Sequence, residues 1–77
     1  MKITYDSEAD ALYILLRKGD AASSEDIEEG VTVDFDADGH VLGLEMLDAR
    51  DRLGVDGLSK ITFEDLVQQK SAALSLP

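Results

Sequence analysis

An α+β domain is what this sequence predicts: an antiparallel sheet of about four strands, built from two hairpins, with one C-terminal amphipathic helix packed on one face. Three observations predict it. Residues 1–6, 11–17, 31–36 and 40–47 alternate apolar and polar side chains, the period of a half-buried strand. Each pair of alternating runs is joined by a short polar connection of turn-forming residues. The last stretch spaces Phe63, Leu66, Val67, Lys70 and Leu74 at helical intervals.

The first hairpin spans residues 1–17. Its loop, Ser7-Glu8-Ala9-Asp10, sets Tyr5 against Leu12, Ile3 against Ile14 and Met1 against Leu16, so one face is apolar throughout. A slip of one residue would break that match, which fixes the register. Residues 18–30 (KGDAASSEDIEEG) form an acidic connection, within which a short edge strand around Ser24 to Glu28 could form, and its charges would guard an exposed edge. In the second hairpin, residues 31–47, Asp38-Gly39 is a two-residue turn signal because glycine tolerates the positive φ such a turn needs. That turn sets Phe35 against Leu42, Val33 against Leu44 and Val31 against Met46. Residues 48–58 read as a turn or helical link. Thr62 then reads as a helix N-cap with Asp65 at N3, and Ile61 and Leu66 are placed for a hydrophobic staple, giving a helix over 62–75 that ends before Pro77.

At 77 residues the chain holds a single domain. A domain this small buries only about 60% of its unfolded surface and is often reinforced by a disulfide, a metal or a second subunit. The absence of cysteine excludes disulfides and thiolate zinc, and one histidine, His40, cannot build a histidine-rich metal site. The net charge of −10, from 17 acidic and 7 basic residues, disfavours nucleic acid and anionic membranes as partners. It attracts and steers a basic protein. The first residues carry no apolar run of signal-peptide or transmembrane length, and with no cysteine the expected compartment is the cytoplasm.

Met1-Lys2-Ile3-Thr4-Tyr5-Asp6, then Glu8 to Ile14 (EADALYI), Gly30-Val31-Thr32-Val33-Asp34, Gly39 to Glu45 (GHVLGLE) and Leu47-Asp48-Ala49 recur in an order that resembles a bacterial family of small proteins, domain of unknown function 2283. The resemblance covers roughly the first fifty residues and departs at Leu15, where a polar residue is expected. It implies a compact bacterial domain and supplies no catalytic residues. It also implies an antitoxin-like role, since some members are said to sit beside small toxin-like genes.

Asp34-Phe35-Asp36-Ala37-Asp38-Gly39 with Glu45 matches the calcium-loop pattern D-x-[DN]-x-[DN]-G-x₅-E. Such a loop must wrap round the ion, usually between two helices. Here both flanks read as strands, so Asp34, Asp36, Asp38 and Glu45 are weak cation candidates and no metal or other cofactor is expected. No nucleophile–base pair and no phosphate loop mark an enzyme. Opposite the helix-covered face the sheet would carry Tyr13, Leu15, Val41 and Leu47, which either the 18–30 connection or a partner must cover. The sequence therefore points to a protein-interaction module, a homodimer or an acidic binder of a small basic protein. A divalent-cation binder and a small enzyme with no identifiable site are the alternatives.

Overall fold

The computed structural model describes residues 1–68 and, as backbone alone, residues 70–75. A five-stranded antiparallel sheet has the order β1-β2-β5-β4-β3. Its strands are β1 (Lys2–Asp6), β2 (Ala11–Leu15), β3 (Ser23–Glu28), β4 (Val31–Phe35) and β5 (Val41–Met46). After it come a helix, α1 (Ala49–Ser59), and a separate two-stranded pair, β6 (Lys60–Asp65) and β7 (Lys70–Ser75). The α+β class and both expected hairpins are present, and the fifth strand of the main sheet, β3, is the short edge strand near Ser24 to Glu28, added to the four of the two hairpins. Among the described residues, no helix is long and apolar enough to cross a membrane.

The first hairpin has the expected register, Tyr5 opposite Leu12 and Ile3 opposite Ile14. Its loop is shaped by two aspartates. Asp6 Oδ1 accepts the N–H groups of Glu8 and Ala9 at 2.9 and 3.1 Å, folding the chain back as an Asx turn does. Asp10 takes φ 53°, a left-handed conformation that a short polar side chain tolerates. The acidic connection then crosses the end of the sheet. Leu16 N–H donates to Leu42 O and Ala22 N–H to Phe35 O. Gly19 passes over Leu42, so this segment covers the apolar face rather than the face of Tyr13. It delivers β3 to the outer edge, where Glu25 stands opposite Val33 and Ile27 is the extra residue of a bulge. A charge on the apolar side and a bulge are both devices that stop an edge from pairing further.

The second hairpin corrects one detail. Gly39 N–H donates to Asp36 O, Asp36 N–H donates to His40 O, and Gly39 has φ 83°. The turn thus uses three residues, Ala37 to Gly39, with the glycine in the left-handed position. Val41 rather than Leu42 then faces Phe35. A bulge at Leu42 absorbs the difference, so Val33 opposite Leu44 and Val31 opposite Met46 hold as expected.

The C-terminal third departs from expectation. The helix is not at 62–75 but at Ala49–Ser59, and residues 60–65 and 70–75 pair as antiparallel strands. Ile61, Thr62 and Phe63 are β-branched or aromatic, and they alternate with polar neighbours as a strand requires. Asp65, read as a capping-box residue, instead accepts Val67 and Gln68 N–H at 3.0 Å and turns the chain. Pro77 lies outside the described residues. The helix that does form was hidden by Gly54 and Gly57; Gly54 breaks its regularity with φ 75° and ψ 164°. Its N-terminus is capped from a distance. Asp48 makes no side-chain cap, while Asp10 O accepts Ala49 N–H and Asp10 Oδ1 accepts Arg50 N–H, both at 3.1 Å. The same carboxylate oxygen accepts Tyr5 Oη–H at 2.7 Å.

The core has two parts. Leu12, Ala49 and Leu58 are buried together, with Ile3, Tyr5 and Met46 packed against them. Val31, Val33 and Leu42 are buried elsewhere on the sheet. Arg52 ties α1 to the far end. Its Nε donates to Leu47 O at 2.9 Å, its Nη1 lies 3.3 Å from Glu28 Oε2, and its Nη2 donates to Glu29 O.

Because Asp10 joins the first loop, β1 and α1, Asp10→Ala is expected to cost about 0.5–2 kcal/mol, the range of a lost helix cap. Urea unfolding followed by far-ultraviolet circular dichroism should show a lower midpoint and a weaker helical signal. Asp10→Asn, which keeps an acceptor and tolerates positive φ, should recover most of both.

Candidate functional site

The face of the sheet turned away from α1 carries a hydrogen-bonded chain that joins two of the expected site residues, Tyr13 and Asp34, and takes in the hydroxyl of a third residue, Ser24. Tyr13 on β2 reaches over Gly43 of β5 to donate from Oη to Asp34 Oδ2 on β4 at 2.7 Å. Ser24 on β3 donates from Oγ to Asp34 Oδ1 at 2.6 Å. The arrangement requires glycine at position 43, since a Cβ there would lie 2.8 Å from Tyr13 Cζ and 2.9 Å from Ile14 O. The Ser24 and Tyr13 hydrogen bonds hold the Asp34 carboxyl below its ordinary 3.8. The bond to Asp34, together with burial, pushes the Tyr13 phenol above 10.0. Tyr5 is raised likewise, first by its hydrogen bond to Asp10.

The calcium-pattern aspartates are committed within the hairpin. Asp36 Oδ1 accepts Asp38 N–H and His40 N–H, each at 3.0 Å, and Oδ2 is paired with Arg17. The His40 amide leads the interactions that lower the Asp36 carboxyl below 3.8. Asp38 is exposed in the turn, and Glu45 stands opposite Tyr13 on one side and Thr32 on the other. Among the described residues no three His, Cys, Asp or Glu side chains converge on a point where an ion would sit. Calorimetric titration with calcium up to millimolar concentration is expected to give no binding heat; saturable heat abolished by Asp36→Asn would contradict this.

Two carboxyls with lowered values and two phenols with raised ones set the pH response. The aspartates contribute stability above about pH 4 that is lost as pH falls through their depressed folded values. The tyrosines, favoured in the neutral form, contribute stability below about pH 10 that is lost as pH rises through their raised folded values. The melting temperature should be flat between these limits and fall outside both. Tyr13→Phe should flatten the alkaline fall and weaken the acid one.

The four residues expected to form an interface are not one continuous row. Tyr13 and Leu15 are half-buried, while Val41 and Leu47 are exposed. The bulge at Leu42 takes Val41 out of alternation with Gly43 and Glu45, and Leu47 follows the strand, its N–H bonded to Gly30 O.

The larger unsatisfied apolar surface is elsewhere. Between the sheet and α1 lies an open groove of about 250 Å³, lined by Ile3, Leu12, Ile14, Met46, Leu53 and Leu58, and reaching Ile61 of β6. Beyond it, β6–β7 forms an arm whose residue contacts with the rest of the fold run mainly through α1. Phe63, Leu66 and Val67 are 60%, 79% and 93% exposed, and Val55 on α1 is 79% exposed. Reading 62–75 as a helix placed Phe63 and Leu66 in the core and so concealed this surface. The strand-like alternation of Ile61 and Phe63 is the signal that would have revealed it.

The Ser24 hydroxyl proton is held by Asp34, and His40, the chain's one histidine, is exposed at the turn.

Comparison with curated proteins and with solved structures returned no match. A family model described as a protein of unknown function, DUF2283, matches residues 2–50, which takes in all five strands of the main sheet and the start of α1 with its Asp10 cap. Matched over more than half its length, with the sheet as the shared unit, the chain belongs to the DUF2283 family.

Proposed function

We propose that this chain is a protein-interaction module whose partner is a basic protein with an apolar docking segment. The observation that carries the reading is the open apolar groove beside an arm that leaves Phe63, Leu66 and Val67 in solvent. An isolated two-stranded hairpin is at best marginally stable in water, and contiguous exposed apolar surface on a small domain marks a binding site. Apolar contact supplies affinity. The net charge of −10 speeds encounter with a positively charged partner and discourages acidic ones. Neutralisation of a small basic protein is one form of this activity.

The test is affinity capture from the native lysate with two baits, the tagged chain and its Phe63→Asp/Leu66→Asp variant, after a moderate salt wash. A basic protein retained in stoichiometric amount by the first bait and lost from the second supports the reading. Equal retention by both baits, or recovery of no partner by either, contradicts it.

A further inference from the structure

The two edges of the five-stranded sheet differ in how they are protected. The β3 edge carries Glu25, Asp26 and Glu28, a bulge at Ile27, and Glu25 opposite Val33 on the apolar side. The β1 edge lacks the bulge and the charge on the apolar side, and its two charges, Lys2 and Asp6, stand at its ends on the opposite face. It pairs with β2 in unbroken register, contains no proline or bulge, and places Ile3 and Tyr5, not a charge, on the apolar face. Among the described residues nothing pairs with its outer side. A regular, unguarded edge beside a guarded one is a template for another strand.

We infer that β1 pairs antiparallel with β1 of a second copy about a two-fold axis at Thr4, joining two five-stranded sheets into one continuous sheet. The occupant follows from the strand's own sequence. With Thr4 opposite the partner's Thr4, Lys2 faces the partner's Asp6 and Ile3 faces the partner's Tyr5. Charges of opposite sign are then matched at both ends and apolar residues between them. A register centred on Ile3 places Lys2 opposite Thr4, and one centred on Tyr5 places Thr4 opposite Asp6 and leaves Lys2 facing Glu8 of the loop beyond the strand, so neither pairs opposite charges within β1. The two-fold axis closes the assembly at two copies, because both free β1 edges are consumed and the β3 edges remain guarded. The Tyr5 ring that would cover the partner's Ile3 is already held in place by its hydroxyl on Asp10 Oδ1 at 2.7 Å. This interface lies at the sheet edge and stands whether or not the groove takes a basic partner.

Cysteine crosslinking tests it cleanly, since the chain has no cysteine of its own. Facing residues on paired strands lie about 4.5–5.5 Å apart between Cα atoms, within disulfide reach, so Thr4→Cys should crosslink to itself under mild oxidation. In the same register Lys2 is four residues from the partner's Lys2, about 13 Å along the strand, so Lys2→Cys should crosslink at least about tenfold more slowly. Asp26→Cys on the guarded edge serves as the background rate. Sedimentation equilibrium of the unmodified chain should show a dimer that Lys2→Glu weakens and Lys60→Glu, the same charge change on β6, does not. Thr4→Cys crosslinking no faster than Asp26→Cys, or an unmodified chain that stays monomeric at several hundred micromolar, overturns the inference. Phe63→Asp should leave the Thr4→Cys crosslink intact, so loss of partner capture and loss of dimer are read separately.

Discussion

Leu42→Ala is expected to destabilise the fold by about 2–5 kcal/mol, the range found when a buried leucine is cut back to its Cβ. At 2% exposure Leu42 is the most buried large side chain among the described residues. It is also the inserted residue of the β5 bulge, and it lies beneath the crossing segment at Gly19, where even a Cβ would come within 3.0 Å of its Cδ1. The cavity cannot collapse easily, because the backbone above and below is tied by Leu16 N–H to Leu42 O and Ala22 N–H to Phe35 O. A chain of 77 residues has a total stability of only about 4–12 kcal/mol at typical per-residue values. The substitution therefore removes a large fraction of the total, and the midpoint should fall well below that of the parent. Urea denaturation at 25 °C should show the lowered midpoint, and Leu42→Met, which conserves volume, should cost less than about 1.5 kcal/mol. A Leu42→Ala midpoint within experimental error of the parent would contradict the core assignment.

Gly43→Ala should cost about 1–3 kcal/mol through overpacking, although alanine is an ordinary strand residue on a solvent-accessible face of most sheets. Here a Cβ meets the Tyr13 ring at Cζ, 2.8 Å away, and the backbone oxygen of Ile14, 2.9 Å away. The ring can move only by giving up its bond to Asp34, and the Ile14 carbonyl belongs to the β2–β5 ladder. Two obstacles of different kinds make the double mutant informative. Tyr13→Ala removes the ring and leaves the carbonyl, so Gly43→Ala in that background should cost less than in the parent without becoming neutral. Strict additivity of the two substitutions would show that Tyr13 does not lie over Gly43.

Much of the sheet was legible in the sequence because strand alternation is local. Tyr5 opposite Leu12, Val33 opposite Leu44 and Val31 opposite Met46 follow from matching apolar residues across a turn. The bulge at Leu42 was not legible, since a three-residue turn plus one inserted residue gives the same deeper register as the two-residue turn expected from Asp38-Gly39. The C-terminal third misled for a physical reason. Spacing of Phe63, Leu66 and Val67 fits a helix, but Ile61, Thr62 and Phe63 prefer extended backbone. The actual helix contains Gly54 and Gly57 and takes its N-terminal acceptors from Asp10, almost forty positions earlier. No local window reveals such a cap. The Tyr13–Asp34–Ser24 chain was equally hidden. The sequence showed an aspartate pattern suited to a cation, and only the strand order β2-β5-β4-β3 brings hydroxyls to those oxygens.

The interaction surface formed by the groove and the β6–β7 arm is tested most directly by amide hydrogen exchange on the chain alone and with its captured basic partner. Alone, the amides of Lys60–Asp65 are expected to exchange much faster than those of β2, β4 and β5, because few contacts hold the arm to the sheet. With the partner bound, protection should appear in Lys60–Asp65 and in the α1 segment around Leu53, and the β3 edge should be unchanged. An arm as well protected as the sheet in the free chain, or partner-induced protection confined to β3 and the Asp36–Gly39 turn, would contradict it.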